Sequence, residues 1–231
     1  MKQIEITVRL NENMQSAIRK LEMQGFKKIR ESEIDDVYMT SKLSELNRDN
    51  IQKILKKSVL LRKLKLENKE IKKITYKDKE IDEKGDVISE QKINLDCSDL
   101  EKAKDLFEHL EFEELIRVRY KVVVYSKDKV EYAFQEVENL GTLIEYENTE
   151  DFEGKTLEDI NKAKEIMYNE IKSTGICLTN EKDVKKAFEL ILNKYFKKFD
   201  KWIYIILKEK DVKLLKFYVL FDYYSSIIMR R

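Results

Sequence analysis

The chain has 231 residues, 42% of them hydrophobic and 39% charged, and 46 Lys and Arg stand against 45 Asp and Glu for a net charge of +1. That length suits one domain, or one domain with an appendage, and the apolar share is enough to build a core. The even balance excludes an overall basic surface for nucleic acid and an acidic, solvating chain, so any electrostatic function lies in how the charges are arranged.

Residues 1–10 alternate polar and apolar with the period of a strand. Asn11 and Asn13 cap a short helix carrying Met14, Ile18 and Leu21, which Gly25-Phe26 stops. A second alternating stretch then runs to Asp36-Val37-Tyr38, and residues 59–66 and 73–77 read as two further strands. The opening unit now returns. Residues 88–95 alternate, and a helix from Asp99 places Leu100, Ala103, Phe107 and Leu110 at helical spacing. Glu111-Phe112 stands where Gly25-Phe26 stood, and 116–125 runs on as a long strand. Residues 130–137 and 142–147, joined through Glu138-Asn139-Leu140-Gly141, bring the total to about eight strands.

This order predicts an α+β fold, an antiparallel eight-stranded β-barrel with flanking helices. Thr156 with Asp159 opens a helix bearing Leu157, Ile160, Met167 and Ile171, which Gly175 ends. Asn180 with Asp183 opens another, bearing Val184, Phe188, Ile191 and Tyr195. Residues 1–194 make the expected barrel domain, and 195–231, with Trp202, Tyr204, Phe217, Tyr218, Phe221, Tyr223 and Tyr224, an aromatic-rich helical extension packed on it. The longest apolar run there, 202–207, is far short of the ~20 residues of a membrane span. The N-terminus reads as neither signal nor transit peptide. Cys97 and Cys177 have no partner spacing, which fits a reducing cytoplasm. His109 is the only histidine, so a metal would be a hard one held by carboxylates.

Each strand carries its charges on one face, because positions i and i+2 share a side. Ile4, Ile6, Val8 and Leu10 oppose Glu5, Thr7 and Arg9; Leu64 and Leu66 oppose Lys63 and Lys65. Ile93 and Leu95 oppose Glu90, Lys92 and Asn94; Val118, Tyr120 and Val122 oppose Arg117, Arg119 and Lys121; Ile144 and Tyr146 oppose Glu145 and Glu147. A sheet curled around its polar face would line a lumen with Arg9, Lys63, Lys65, Lys77, Lys92, Arg117, Arg119 and Lys121 against Glu5, Glu90, Glu145 and Glu147. That cationic excess needs a polyanion, and Arg and Lys suit phosphate oxygens.

These residues resemble the CYTH superfamily, the triphosphate tunnel enzymes that include class IV adenylyl cyclases, thiamine triphosphatase and inorganic triphosphatases. Glu5-Ile6-Thr7-Val8-Arg9 stands where the family has E-x-E-x-K, and Asp36-Val37-Tyr38 resembles its tyrosine-bearing segment. Ile74-Thr75-Tyr76-Lys77 resembles L-T-Y-K, Leu110-Glu111-Phe112 resembles L-G-F, and Arg119-Tyr120-Lys121 resembles the K-x-R pair. The segment from Phe134 through Leu140-Gly141 to Glu145-Tyr146-Glu147 is similar to L-D-x-V-x-x-L-G…E-I-E. The family's L-R-I-R strand lies at 62–65 in either of two registers, and we assign Lys63 and Lys65, which alternation turns toward the side of Thr75 and Lys77. The departures are Thr7 and Gln135, both at acidic positions of the family.

The resemblance implies a triphosphate-containing small molecule (tripolyphosphate, a nucleoside triphosphate or thiamine triphosphate) bound with Mg²⁺ or Mn²⁺ in a basic tunnel and hydrolysed at its terminal phosphate. Glu5, Glu145 and Glu147, with Glu90, would hold the metal, and the first three would carry the chemistry. Arg9, Lys63, Lys65, Lys77, Lys92, Arg117, Arg119 and Lys121 would hold phosphate. The alternatives are a class IV adenylyl cyclase and, motivated by Thr7 and Gln135, a catalytically degenerate organophosphate-binding module. A cytoplasmic monomer or homodimer, engaging neither nucleic acid nor membrane, completes the expectation.

Overall fold

A computed structural model describes residues 4–81, 87–148, 152–181 and 183–196, and for 77–81 and 87–91 the backbone alone. In chain order the elements are β1 (Ile4–Arg9), α1 (Met14–Met23), β2 (Lys27–Thr40), α2 (Ile51–Lys56), β3 (Val59–Leu66), β4 (Lys69–Ile81) and β5 (Val87–Asp96). There follow α3 (Leu100–His109), β6 (Glu113–Lys127), β7 (Val130–Val137), β8 (Gly141–Asn148), α4 (Leu157–Ser173) and α5 (Lys186–Ile191), which continues in wider turns over Leu192–Phe196.

Local chemistry fixes the helix ends, and it does so twice in the same way. Asn13 accepts the Ser16 N–H at 2.9 Å to start α1, and Asp99 accepts those of Glu101 and Lys102 at 3.2 Å to start α3. Both helices end in a left-handed residue, Gly25 at φ 88° and Glu111 at φ 64°. The Phe26 and Phe112 N–H groups then reach back to Leu21 and Phe107 at 3.1 and 2.9 Å. The sequence repeat is therefore a structural one.

All eight strands form one antiparallel sheet in the order β1-β8-β7-β6-β2-β3-β4-β5. Exchanging β1 to β4 with β5 to β8 reverses this order and leaves the neighbours unchanged, so the sheet has a pseudo-twofold axis between β2 and β6. Among the described residues, β1 and β5 remain its two edges, and no ladder between them closes the barrel.

The apolar residues do not share one side of this sheet. Ile4, Ile6 and Val8 of β1 pack with Phe134 and Ile144 under α1 and α4. Leu61 and Ile74 pack under α3 on that same side. Val118, Tyr120, Val122 and Val124 of β6 instead point to the other side, where Val137, Leu143 and residues of α2 and α5 join them. The expectation of a wholly wet lumen with apolar residues only outside is corrected accordingly. Alternation within a strand says which residues share a face, but the ladder register decides which face that is.

One smaller expectation also changes. The last described helix starts at Lys186, with Asn180 and Asp183 in the segment that leads to it. The charged stretch around Lys56 contains α2, whose Ile51 and Ile54 are buried. The expected boundary at 194/195 falls within the continuation of α5, and 197–231 lies outside the described residues. Among the described residues, no helix is long and apolar enough to cross a membrane.

Candidate functional site

The ladder identifies the residues that share a face with the β1 carboxylate. Glu5 lies opposite Glu147, Thr7 opposite Glu145, and Arg9 opposite Leu143. Leu143 lies opposite Gln135, Gln135 opposite Val122, and Val137 opposite Tyr120. Val118 lies opposite Asp36, Asp36 opposite Arg62, Arg62 opposite Lys73, and Lys73 opposite Asp96. The carboxylate face therefore holds Glu5, Thr7, Arg9, Gln135, Glu145 and Glu147 at its β1 edge and Arg62, Lys73, Thr75, Lys92, Asn94 and Asp96 toward its β5 edge. Between them lies the apolar ground of β6, beneath α2 and α5.

Of the expected cations, Arg9 and Lys92 lie on this face. Lys63, Lys65, Arg117, Arg119 and Lys121 lie on the opposite one, where Lys65 and Lys121 flank Glu33, and Lys63 and Arg119 flank Asp35. The assignment of Lys63 and Lys65 over Arg62 is thus reversed, because Thr75 lies opposite Leu60 and shares the Arg62 side. The side chains of Lys77 and Glu90 lie outside the described residues.

The displaced cations still converge. Lys63, Lys65, Arg119 and Lys121 line a cavity of about 930 Å³ with the 138–142 turn, but Glu33, Asp35, Glu136 and Glu138 line it too. Arg117 makes a two-pronged contact with Asp35 at 2.7 and 2.6 Å, Arg119 reaches it at 3.3 Å, and Lys63 pairs with Glu70 at 2.9 Å. Burial raises the Asp35 pKa, but Arg117 and Arg119 outweigh it and hold the carboxyl below its ordinary value. Four acids match four bases, which leaves this cavity without a cationic excess.

At the β1 edge of the carboxylate face, Arg9 and Glu145 are engaged within the chain. Arg9 donates to Glu189 at 2.7 Å, to Glu181 at 2.9 Å and to the Leu140 carbonyl at 2.7 Å. Burial would lower its pKa, but the two carboxylates raise it instead. Glu145 accepts from Gln135 Nε2 at 2.9 Å and from Lys186 Nζ at 3.2 Å, and Lys186 also donates to Gln135 Oε1 at 2.6 Å. Burial lowers the Lys186 pKa, but Glu145 and Glu5 more than compensate and keep the amine protonated.

Further along, Arg62 grips Asp36 through two hydrogen bonds of 2.7 and 2.6 Å, beside Tyr38 and Tyr120. Burial and the nearby Asp36 carboxylate push both phenols well above their ordinary pKa. Sequence reasoning missed Lys186, which belongs to no apolar periodicity, and it passed over Arg62, whose competing register was the available signal.

The resemblance implies a divalent cation, and the residues present do not fit one as disposed. Among the described residues no three His, Cys, Asp or Glu side chains converge as metal ligands. Glu5 and Glu147 are cross-strand neighbours, but Glu145 is held by an ammonium and an amide N–H.

No family model matches the chain. It is 24% identical over 165 residues to a Methanocaldococcus jannaschii protein named as an adenylate cyclase candidate, across 71% of this chain and 83% of that protein. Its fold is shared with the PH1819 protein of Pyrococcus horikoshii, at TM-score 0.63 and 22% identity over 83% of this chain and 99% of that one. It is shared also with an adenylyl cyclase candidate from Hippeastrum described as having a dominant triphosphatase activity, at TM-score 0.53 and 17% identity over 84% of this chain and 96% of that one.

Proposed function

We propose, from the premise that the chain belongs to the CYTH superfamily, that it binds a triphosphate-containing small molecule on its carboxylate face and has lost most of the hydrolytic chemistry. The observation that supports this reading is the composition of that face. Arg9 stands at one edge and Lys73 and Lys92 toward the other, with Thr7, Thr75 and Asn94 as neutral hydrogen-bonding groups between charges. A sheet curled about this face would turn the two edges toward each other, with Lys73 and Lys92 meeting an extended phosphate chain from one edge and Arg9 meeting it from the other in exchange for Glu181 and Glu189. Thr7 and Gln135 remove two carboxylates from the β1 edge, and Lys186 covers a third. These are the groups that would position and activate an attacking water.

A second reading, a phosphohydrolase that releases the terminal phosphate, is favoured by Glu5 and Glu147 standing opposite one another, and by the activity named for the Hippeastrum protein. Calorimetry with tripolyphosphate, ATP and thiamine triphosphate tests the first reading, and phosphate release from the same compounds with Mg²⁺ or Mn²⁺ tests the second. Binding without turnover is expected. Release of phosphate at ordinary enzymatic rates would establish the second reading, cyclic AMP from ATP would establish a cyclase, and no binding to any of the three would end the proposal.

A further inference from the structure

The β1 edge already holds a cation of its own. Lys186, in the first turn of α5, places its ammonium 2.6 Å from Gln135 Oε1, 3.2 Å from Glu145 Oε2 and 4.9 Å from the centroid of the Tyr120 ring. A carbonyl, a carboxylate and a π face together satisfy the three N–H donors of an ammonium. The segment carrying it is fastened to β1 on both sides. Val184 N–H donates to the Thr7 carbonyl at 2.8 Å, and Glu189 holds Arg9 at 2.7 Å. Leu190 and Ile191 anchor the helix in the apolar ground of β6. The Lys186 side chain is only 21% exposed.

The same contacts explain why this edge does not suit a divalent ion. Mg²⁺ requires near-octahedral oxygens at about 2.0–2.1 Å. Gln135 Oε1 and Glu145 Oε2 are committed to the ammonium, and the Gln135 amide turns an N–H, not a second oxygen, toward Glu145 at 2.9 Å. A glutamine in that place suits a lysine: it offers one oxygen to the amine and one donor to the carboxylate. A tethered cation also competes at a high effective concentration against one from solution.

We propose that Lys186 takes the place of the divalent cation, so that the carboxylate face accepts a phosphate chain without Mg²⁺ or Mn²⁺. This rests on the reading of that face as a phosphate-chain site. The lysine neutralises Glu145 from within the chain, so that an incoming phosphate chain meets one uncompensated carboxylate fewer, and Arg9 engages it by exchanging Glu181 and Glu189.

The test uses the full chain, with Mn²⁺ uptake followed by electron paramagnetic resonance and tripolyphosphate binding followed by calorimetry in EDTA and in Mg²⁺. The wild type takes up no Mn²⁺ at micromolar concentration, and its tripolyphosphate affinity in EDTA stays within about twofold of that in Mg²⁺. Lys186→Met gains saturable Mn²⁺ uptake, and its tripolyphosphate affinity falls roughly tenfold or more in EDTA and recovers with metal. Saturable micromolar Mn²⁺ uptake by the wild type, or tripolyphosphate binding that vanishes in EDTA, overturns the proposal. Should Lys186→Met fail to fold by circular dichroism, those two wild-type measurements decide alone. A wild type indifferent to tripolyphosphate in both buffers refutes the phosphate reading, and Mn²⁺ uptake then judges Lys186 by itself.

Discussion

Replacing Arg62 with methionine separates the observed register of β3 from the one that places Lys63 and Lys65 with the carboxylates. Asp36 is 3% exposed, and Arg62 supplies both of its short hydrogen bonds, at 2.7 and 2.6 Å. Tyr120 Oη, at 3.5 Å, is its other polar contact there, too long to compensate. Arg62→Met leaves a carboxylate desolvated without its counter-ion, a change that costs about 3–5 kcal/mol at fully buried sites. The guanidinium is 29% exposed, so water partly reaches the vacated place, and the lower end of about 3 kcal/mol applies. For a chain of this size that is a drop in Tm of about 6–12 °C. The double variant Asp36→Asn with Arg62→Met removes the stranded charge and recovers part of the loss. Thermal and urea unfolding followed by circular dichroism reads both. A loss below about 1 kcal/mol for Arg62→Met, the range of a solvated surface position, would refute the register and the face built on it.

Three further outcomes follow from particular contacts. Gly25→Ala destabilises by about 1 kcal/mol through backbone conformation alone, since a Cβ there meets nothing within 4 Å, and urea midpoints measure it. Glu111→Gly, at the matching left-handed position, leaves stability unchanged or raises it by up to about 1 kcal/mol in the same assay, and a clear loss would show that Glu111 makes a contact that matters. Burial alone would raise the Glu12 pKa, but hydrogen bonds from Lys20 and the Cys177 N–H depress it, so its contribution is present above the unfolded value of about 4.3 and fades as pH falls through the lower folded value. Glu12→Gln therefore flattens the acid limb of the stability–pH curve, and an unchanged limb would contradict the assignment.

Much of the fold was legible because its signals are local. The caps at Asn13, Asp99 and Thr156, the left-handed stops at Gly25 and Glu111, and the period-two runs lie in the sequence where the elements lie in the structure. The repeat of strand, helix and turn gave the pseudo-twofold sheet. The site was legible at its β1 and β8 edge, where Glu5, Arg9, Glu145 and Glu147 belong to strands paired directly with each other, and at Lys92 on β5. Beyond it, the apolar sides of β1 and β6 point in opposite directions, because α1 and α4 cover one face of the sheet and α2 and α5 the other. Taking every charged side as one face therefore carried Lys63, Lys65, Arg117, Arg119 and Lys121 across the sheet. Lys186 was illegible for another reason: its place depends on where α5 lies across the sheet, which no periodicity within residues 183–196 encodes.

Calorimetric titration of tripolyphosphate into two variants tests the face assignment most directly. Arg9→Gln removes a cation from the carboxylate face, whereas Lys63→Ser combined with Lys65→Ser and Lys121→Ser removes three from the opposite one. The account predicts that the first weakens binding tenfold or more, as expected for loss of a charge-assisted phosphate contact of about 1.5–3 kcal/mol, while the second leaves it within about twofold. Intact binding in Arg9→Gln together with its loss in the triple variant would contradict the account and move the phosphate site to the other side of the sheet.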